Sequence, residues 1–247
     1  MSVVFDATTG HLQLDPEAFI GLVDYATEPE GICDELVARL HRAGVVSGGR
    51  PHPLLRNALA AVTSSFGSLQ VLLVSTPGSV TLHQCWVAFV SAVLSDVGDG
   101  TYEFAAVSTD FLPTEIARRT GLAPRPRLEQ AEAVVDESLL DALSAGSART
   151  RVDGGVALAE ALAAWPAAAT AVRAGRWSLA VADVAFPTPS GTVVRRLAWI
   201  DTEAGLLRVE ADDRGPVLVP TTSTALWGAV VALLPTDAET GSLPRSA

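Results

Sequence analysis

Two strand-like runs around a short turn decide the fold: Val193-Val-Arg-Arg-Leu-Ala-Trp-Ile200 and Leu206-Leu-Arg-Val-Glu-Ala211, joined by Thr202-Glu-Ala-Gly205. Branched and aromatic residues favour strands. A short polar link that contains glycine is typical of a β-hairpin. The segment therefore predicts two antiparallel strands in the second half of the chain.

Alternation along this hairpin separates an inward face from an outward face. Leu207 and Val209 are predicted to face the core, and Trp199 shares one side of its strand with a carboxylate near the turn. We expect Trp199 in the core or, alternatively, as an interface anchor. A mixed outward face suits a polar-rimmed interface or an ordinary solvated strand. The candidate partner-binding residues are Trp199, Asp201, Leu206, Arg208 and Glu210.

The hairpin belongs to a pattern that occurs twice. Leu158-Ala-Glu-Ala-Leu-Ala-Ala-Trp165 matches Leu55-Arg-Asn-Ala-Leu-Ala-Ala-Val62 at five of eight positions, and strand runs follow each helix in the same order. We predict an α+β fold: a quasi-twofold repeat of helix–strand–hairpin–helix units forming a mainly antiparallel twisted sheet with helices packed on it. The expected halves are residues 1–123 and 124–247, integrated into one domain. Chance similarity between alanine-rich helices is the alternative to a true duplication.

Further elements follow from capping and periodicity. Asp15-Pro16-Glu17 predicts the start of a helix, and Gly44 the end of a second one. Strands are predicted at 11–14, 69–75, 84–94, 101–108 and 177–186, with the 84–94 strand apolar on both faces, and helices at 113–121 and 129–143, with a loop at 144–155. The helix at 129–143 would carry a solvated acidic face that includes Glu129 and Glu132.

Charge and composition exclude some partners. The net charge is −11, and all 17 basic residues are arginines without a cluster, so we expect neither nucleic acid nor an anionic membrane as a partner. No secretory signal is visible, and the uncharged stretch 57–95 is interrupted too often for a membrane span. Both cysteines, Cys33 and Cys85, are expected to be buried free thiols. These features together predict a cytoplasmic protein.

The chain carries no motif of a catalytic centre. It lacks a Gly-x-Ser-x-Gly elbow, His-x-x-x-His and Cys-x-x-Cys spacings, and a P-loop. His83 and Cys85 share a side of a predicted strand, where a buried thiol beside a polar residue is the simpler interpretation. Gly154-Gly155 before a helix is better explained by capping than by an anion site. We therefore expect no enzyme, no cofactor and no metal.

The organised chain resembles the EspG family, the cytosolic chaperones of type VII (ESX) secretion in actinobacteria. Three segments carry the resemblance: residues 36–44 followed by Pro53-Leu-Leu-Arg-Asn-Ala-Leu-Ala-Ala, the hairpin Leu197-Ala-Trp-Ile-Asp-Thr-Glu-Ala-Gly-Leu-Leu, and Leu218-Val-Pro before a helix that ends at Pro235. The resemblance spans most of the chain through diffuse apolar patterns. The chain is poorer in aromatic strand residues than the family pattern.

The resemblance implies a function in protein binding. Its expected partner is a helical secretion substrate, of the PE–PPE kind or a WXG-type protein, held by the sheet face and the C-terminal helices. Two alternatives are a ligand-binding protein or enzyme with a pocket between the halves, and a self-associating structural or adaptor protein.

Overall fold

A computed structural model describes residues 3–28, 30, 32–75 and 79–240. Its strands are β1 Val4–Asp6, β2 His11–Leu14, β3 Val46–Ser47, β4 Arg50–Pro51, β5 Gly67–Val74, β6 Val80–Val87, β7 Val90–Gly98, β8 Thr101–Ser108, β9 Ala133–Val134, β10 Trp177–Thr188, β11 Gly191–Thr202, β12 Gly205–Asp212 and β13 Gly215–Thr221. Its helices are α1 Pro16–Thr27, α2 Asp34–Arg42, α3 Pro53–Ser64, α4 Leu112–Arg119, α5 Glu137–Ser144, α6 Ala148–Ala161, α7 Pro166–Arg173, α8 Ser223–Leu233 and α9 Asp237–Thr240. The predicted α+β class, with antiparallel strands and helices packed on them, is confirmed.

Contacts divide the chain into two compact units. Unit 1 comprises Met1–Leu69, Thr81–Leu112 and Ala185–Pro187, and unit 2 comprises Gln70–Val80, Pro113–Val184 and Thr188–Ala247. The division of the sequence into halves at residue 123 stays a prediction.

Unit 1 is built on the strand order β1-β2-β8-β7-β6. Pairing is antiparallel, with Leu12 opposite Phe104. Helix α1 begins as the sequence predicts, because the Asp15 carboxylate accepts a hydrogen bond from Ala18 N at 2.9 Å and proline occupies the first turn. Helices α1, α2 and α3 cover this sheet with a core of Leu12, Leu14, Leu22, Leu40, Leu55, Leu59, Ala92 and Phe104.

Unit 2 has the strand order β5-β10-β11-β12-β13-β9. The predicted hairpin is present as β11 and β12, with Ile200 opposite Leu207 and Asp201 opposite Leu206. Helices α5, α6 and α7 pack on the face that carries Ile200 and Leu207. The core there is formed by Leu143, Leu158, Leu162, Trp165, Val172, Trp177, Leu179, Ile200, Leu207 and Leu218.

The order of elements repeats along the chain, as the sequence predicts. A helix, four strands and a helix follow one another as α3-β5-β6-β7-β8-α4 and again as α7-β10-β11-β12-β13-α8. Each repeat holds one strand more than expected.

In the first repeat, the prediction of a single strand at 84–94 is wrong, and the structure has two strands there. That run turns at Ala88-Phe89 and forms β6 and β7. The Thr109 hydroxyl donates to the carbonyl oxygens of Ala88 and Phe89, and Ala88 N donates to Ser91 Oγ at 3.4 Å. These hydroxyls satisfy backbone groups of the turn, so the chain reverses without a glycine.

The helix predicted at 129–143 is also wrong. Residues 121–132 have no regular helix or strand, β9 follows, and only α5 is helical. The predicted acidic helix face is therefore absent, and Asp136 instead caps α5 by accepting from Ser138 N at 2.8 Å. Hydrogen bonding to Ser138 lowers the pKa of Asp136.

The loop predicted at 144–155 is replaced by most of helix α6. Ser147 caps this helix by accepting from Thr150 N at 3.2 Å. Gly154 and Gly155 are buried inside the helix and form neither a cap nor an anion site. A Cβ at Gly154 would lie 3.0 Å from Leu143 Cδ2, so glycine lets α6 approach α5 closely.

The two cysteines differ. Cys85 is buried, as predicted, whereas the prediction of a buried Cys33 is wrong because Cys33 lies exposed immediately before α2. His83 is buried on the same strand as Cys85, in β6.

Candidate partner-binding surface

The five residues proposed for partner contact lie on one face of the β11–β12 hairpin. Asp201 pairs with Leu206, and Trp199 pairs with Arg208, so these side chains point away from the α5–α7 face that carries Ile200 and Leu207. Alternation therefore assigns the two faces of β12 correctly. What the sequence does not reveal is how much of the outward face the chain itself covers.

Trp199 and Leu206 are both 1% exposed. Trp199 is thus a core residue, in agreement with the first of its two interpretations. The prediction that Leu206 faces solvent is wrong, because the face it occupies is covered at that point. Neither side chain is accessible to a partner in this conformation.

Asp201 is buried in a bidentate ion pair. Arg125 Nε lies 2.7 Å from Oδ1 and Arg125 Nη2 lies 3.1 Å from Oδ2 of Asp201. The hydrogen bonds to Asp201 raise the pKa of Arg125. This carboxylate is occupied by the chain's own arginine.

Arg125 belongs to a segment, residues 122–132, that we name the strap. A Cβ on Gly205, in the β11–β12 turn, would lie 2.5 Å from Leu128 Cγ, so the strap passes directly against that turn. Trp165 Nε1 then donates to Glu129 O at 2.9 Å on the α5–α7 side. The strap therefore crosses the end of the hairpin from the Asp201 face to the Trp165 face, and it leads into β9.

Arg208 and Glu210 are the members of the set that reach solvent. Their side chains are 39% and 41% exposed and pair with each other along β12. On the neighbouring strand, Val219 is half-buried opposite Arg208. This part of the face offers a mixed polar and apolar surface, in which Val219 and not the buried Leu206 is the apolar member.

Helix α8 packs on the same face as Arg208. Arg195, which alternation places on the Trp199 side of β11, donates to the carbonyl oxygens of Ala232 at 3.1 Å and Leu234 at 3.2 Å, at the end of α8. This contact caps the helix with a cation, which the helix dipole favours. The buried side of α8 comprises Leu226, Val230 and Leu233.

The outer side of α8 is apolar as well. Trp227 is 38% exposed and Val231, one turn later, is 47% exposed. No charged residue occurs between Ser223 and Leu233. A helix that is apolar all round is normally buried on all sides, so this outer side is a candidate contact surface. We define the α8 surface as Arg208, Glu210, Val219, Trp227 and Val231.

Sequence reasoning missed Trp227 and Val231. The signal was available, because residues 223–233 contain no charge and their apolar residues do not segregate to one side.

Two kinds of site have no candidate among the described residues. These residues contain no group of three or more His, Cys, Asp or Glu side chains arranged to hold a metal ion. Within the same residues, no helix combines the length and apolar character needed to cross a lipid bilayer.

Comparison with solved structures shows a likeness over most of the chain. No protein-family model matches the sequence, and no curated protein matches it significantly. Among solved structures, the chain is similar to the type VII secretion system chaperone EspG5 of Mycobacterium tuberculosis, solved in complex with a PE25–PPE41 dimer, with a TM-score of 0.60. The two chains share a fold. At 13% identity, the superposition covers 91% of this chain and 97% of the EspG5 chain. The EspG-like fold thus extends over nearly the full length of both proteins.

Proposed function

We propose that this protein is a non-enzymatic chaperone or adaptor that binds a helical secretion substrate of a type VII (ESX) system in the cytoplasm. The observation that carries the proposal is the likeness to EspG5, which was solved bound to a PE25–PPE41 dimer, over 91% of this chain. We call the substrate the client, and its expected class is a PE–PPE-like or WXG-type protein.

The α8 surface supports a function by contact. Trp227 and Val231 are exposed on an uncharged helix, and an exposed arginine–glutamate pair lies on the sheet face against which that helix packs, so the surface offers both apolar and polar groups. Protein interfaces have this composition, with aromatic residues and arginine enriched. Trp199, Asp201 and Leu206 are buried, so the proposal assigns them a structural role in the hairpin and not a direct contact with the client.

Burial of the apolar face of a helical client would also explain a chaperone role. An amphipathic helix that lacks its partner exposes an apolar stripe that promotes aggregation. Docking of such a stripe on Trp227 and Val231 removes apolar area from water on both proteins. The acidic chain, with a net charge of −11, adds solubility to the complex.

The test is coexpression of the full chain with the PE–PPE-like and WXG-type proteins encoded in the same genome. We expect one of them to remain soluble only with the chain and to elute with it as a stoichiometric complex, measured by light scattering after size exclusion. Failure of every candidate to bind would contradict the proposal. A large homo-oligomer formed by the chain alone would favour the self-association alternative.

A further inference from the structure

A groove in unit 1 is independent of the α8 surface. It lies between the end of α1, strand β4 and helix α3, and has a volume of about 360 Å³. Its lining residues are Ala26, Thr27, Arg50, Pro51, Arg56, Leu59, Ala60 and Thr63. This volume is at the lower end of the range for sites that hold small molecules.

The charged residues of this lining are both arginines. Arg50 lies on β4 beside the Gly48-Gly49 turn, and Arg56 lies in the first turns of α3. Arg56 donates its Nε to Pro51 O at 3.1 Å, which ties the side chain to the groove wall. The position of Arg56 is therefore set before a ligand arrives.

Neither guanidinium has a carboxylate partner in the part of the chain that the structure describes. Arg39, Arg118, Arg125, Arg176 and Arg196 each lie within 4 Å of a carboxylate, as most arginines of this acidic chain do, but Arg50 and Arg56 do not. Asp24, in the last turn of α1, and Glu28, which follows the helix, are not part of the lining. The groove is therefore lined by two positive charges, and no carboxylate of its lining neutralises them.

The remaining lining is mostly apolar. Leu59, which is 2% exposed, forms the buried part, and Ala26, Pro51 and Ala60 contribute hydrocarbon. The hydroxyls of Thr27 and Thr63 already donate to carbonyl oxygens of their own helices. Hydrogen-bond donors for a ligand therefore come from the two arginines.

We propose that this groove binds a small organic anion that carries carboxylate groups on a short hydrocarbon stem. A guanidinium presents paired N–H donors that match the two oxygens of a carboxylate. The apolar part of the lining suits the stem. The proposal does not depend on the client or on the α8 surface.

The test is calorimetric titration of the full chain with glutarate at low ionic strength, with inorganic phosphate as an anion without a stem. We expect saturable binding of one glutarate, and loss of about tenfold in affinity in Arg50→Gln and in Arg56→Gln. Both side chains are exposed, so circular dichroism should show folded variants. Arg149→Gln, an exposed arginine of α6, is the matched control and should bind as the wild type does.

Three results would overturn the proposal. They are the absence of saturable glutarate binding, phosphate binding as tight as that of glutarate, and equal losses in Arg149→Gln and Arg56→Gln.

Discussion

Arg125 and Asp201, 76 residues apart in sequence, form a two-point ion pair in which Nε lies 2.7 Å from Oδ1 and Nη2 lies 3.1 Å from Oδ2. The Asp201 side chain is 7% exposed and that of Arg125 is 32% exposed. The pair joins the strap to the end of the β11–β12 hairpin. Its role is therefore to hold the strap against the end of the hairpin.

Removal of Arg125 should destabilise the protein. Arg125→Ala leaves a buried carboxylate without its partner, and we expect the free energy of unfolding to fall by about 2 kcal/mol. Urea denaturation followed by circular dichroism measures it. Arg176→Ala is the control, because the Arg176–Glu203 pair has the same bidentate geometry but is exposed, with side chains 53% and 55% accessible. An equal fall in the free energy of unfolding in both variants would show that burial of Asp201 adds nothing to the stabilisation by the ion pair.

Charge reversal on β12 should weaken client capture without unfolding the protein. Arg208→Glu and Glu210→Arg each place like charges two residues apart on an exposed strand surface, where such pairs contribute little to stability. The double variant Arg208→Glu/Glu210→Arg restores the pair with its signs exchanged. We expect both single variants and the double variant to reduce pull-down of the client while their melting temperatures stay near that of the wild type. Unchanged pull-down would remove both residues from the interface.

Sequence reasoning succeeded where local patterns determine structure. Alternation and a glycine turn define the β11–β12 hairpin, and Asp15 with Pro16 defines the start of α1. Each of these elements is specified by residues that are neighbours in sequence. The α+β class follows from them.

The path of the strap could not be predicted, because residues that are neighbours in sequence do not determine it. The sequence predicts a helix that begins at residue 129, within the strap, but the contacts that hold the strap in place are distant in sequence: Arg125 with Asp201, and Glu129 O with Trp165 Nε1, 36 residues away. Tertiary contacts of this kind override local propensity. The cover over Leu206 was missed for the same reason, because alternation reports the direction of a side chain and not what lies above it.

The outer side of α8 should be required for client binding but not for folding. Trp227→Glu and Val231→Glu each place a carboxylate on an apolar patch, where Val231 is 47% exposed and Trp227 is 38% exposed. Val231→Glu should change stability by no more than about 0.5 kcal/mol. Trp227→Glu also removes packing of the covered part of the indole, so circular dichroism should show that this variant is folded before its affinity is compared. We expect each to lower client affinity in a calorimetric titration. Val156→Glu, at a 58% exposed valine of α6, is the matched control and should leave affinity unchanged. Equal affinity in Trp227→Glu and Val156→Glu would exclude α8 as the contact.

The turn between β1 and β2 should respond to acid at an unusually low pH. The hydroxyls of Thr8 and Thr9 donate to the Asp6 carboxylate at 2.6 Å and 2.7 Å, and these hydrogen bonds, with that from Thr8 N, lower the pKa of Asp6 from 3.8 to about 2. A depressed pKa means that the turn is stabilised above pH 3.8 and loses this stabilisation as the pH falls through 2. Titration of the Asp6 carboxyl carbon by NMR should give a midpoint near 2, and Thr8→Ala should move it towards 3.8. An ordinary midpoint in the unaltered protein would contradict these hydrogen bonds.

Substitution of Gly228 should affect the stability of the protein and its affinity for the client in opposite directions. It lies on the exposed side of α8, between Trp227 and Val231, and a Cβ built there meets no atom within 4 Å. Glycine inside an exposed helix costs about 1 kcal/mol relative to alanine, so Gly228→Ala should raise the free energy of unfolding by about that amount. If the client helix packs closely against α8, the added methyl group should at the same time lower client affinity, measured by calorimetry on the same preparation. A variant that is more stable and binds the client as tightly as the wild type would place the client away from Gly228.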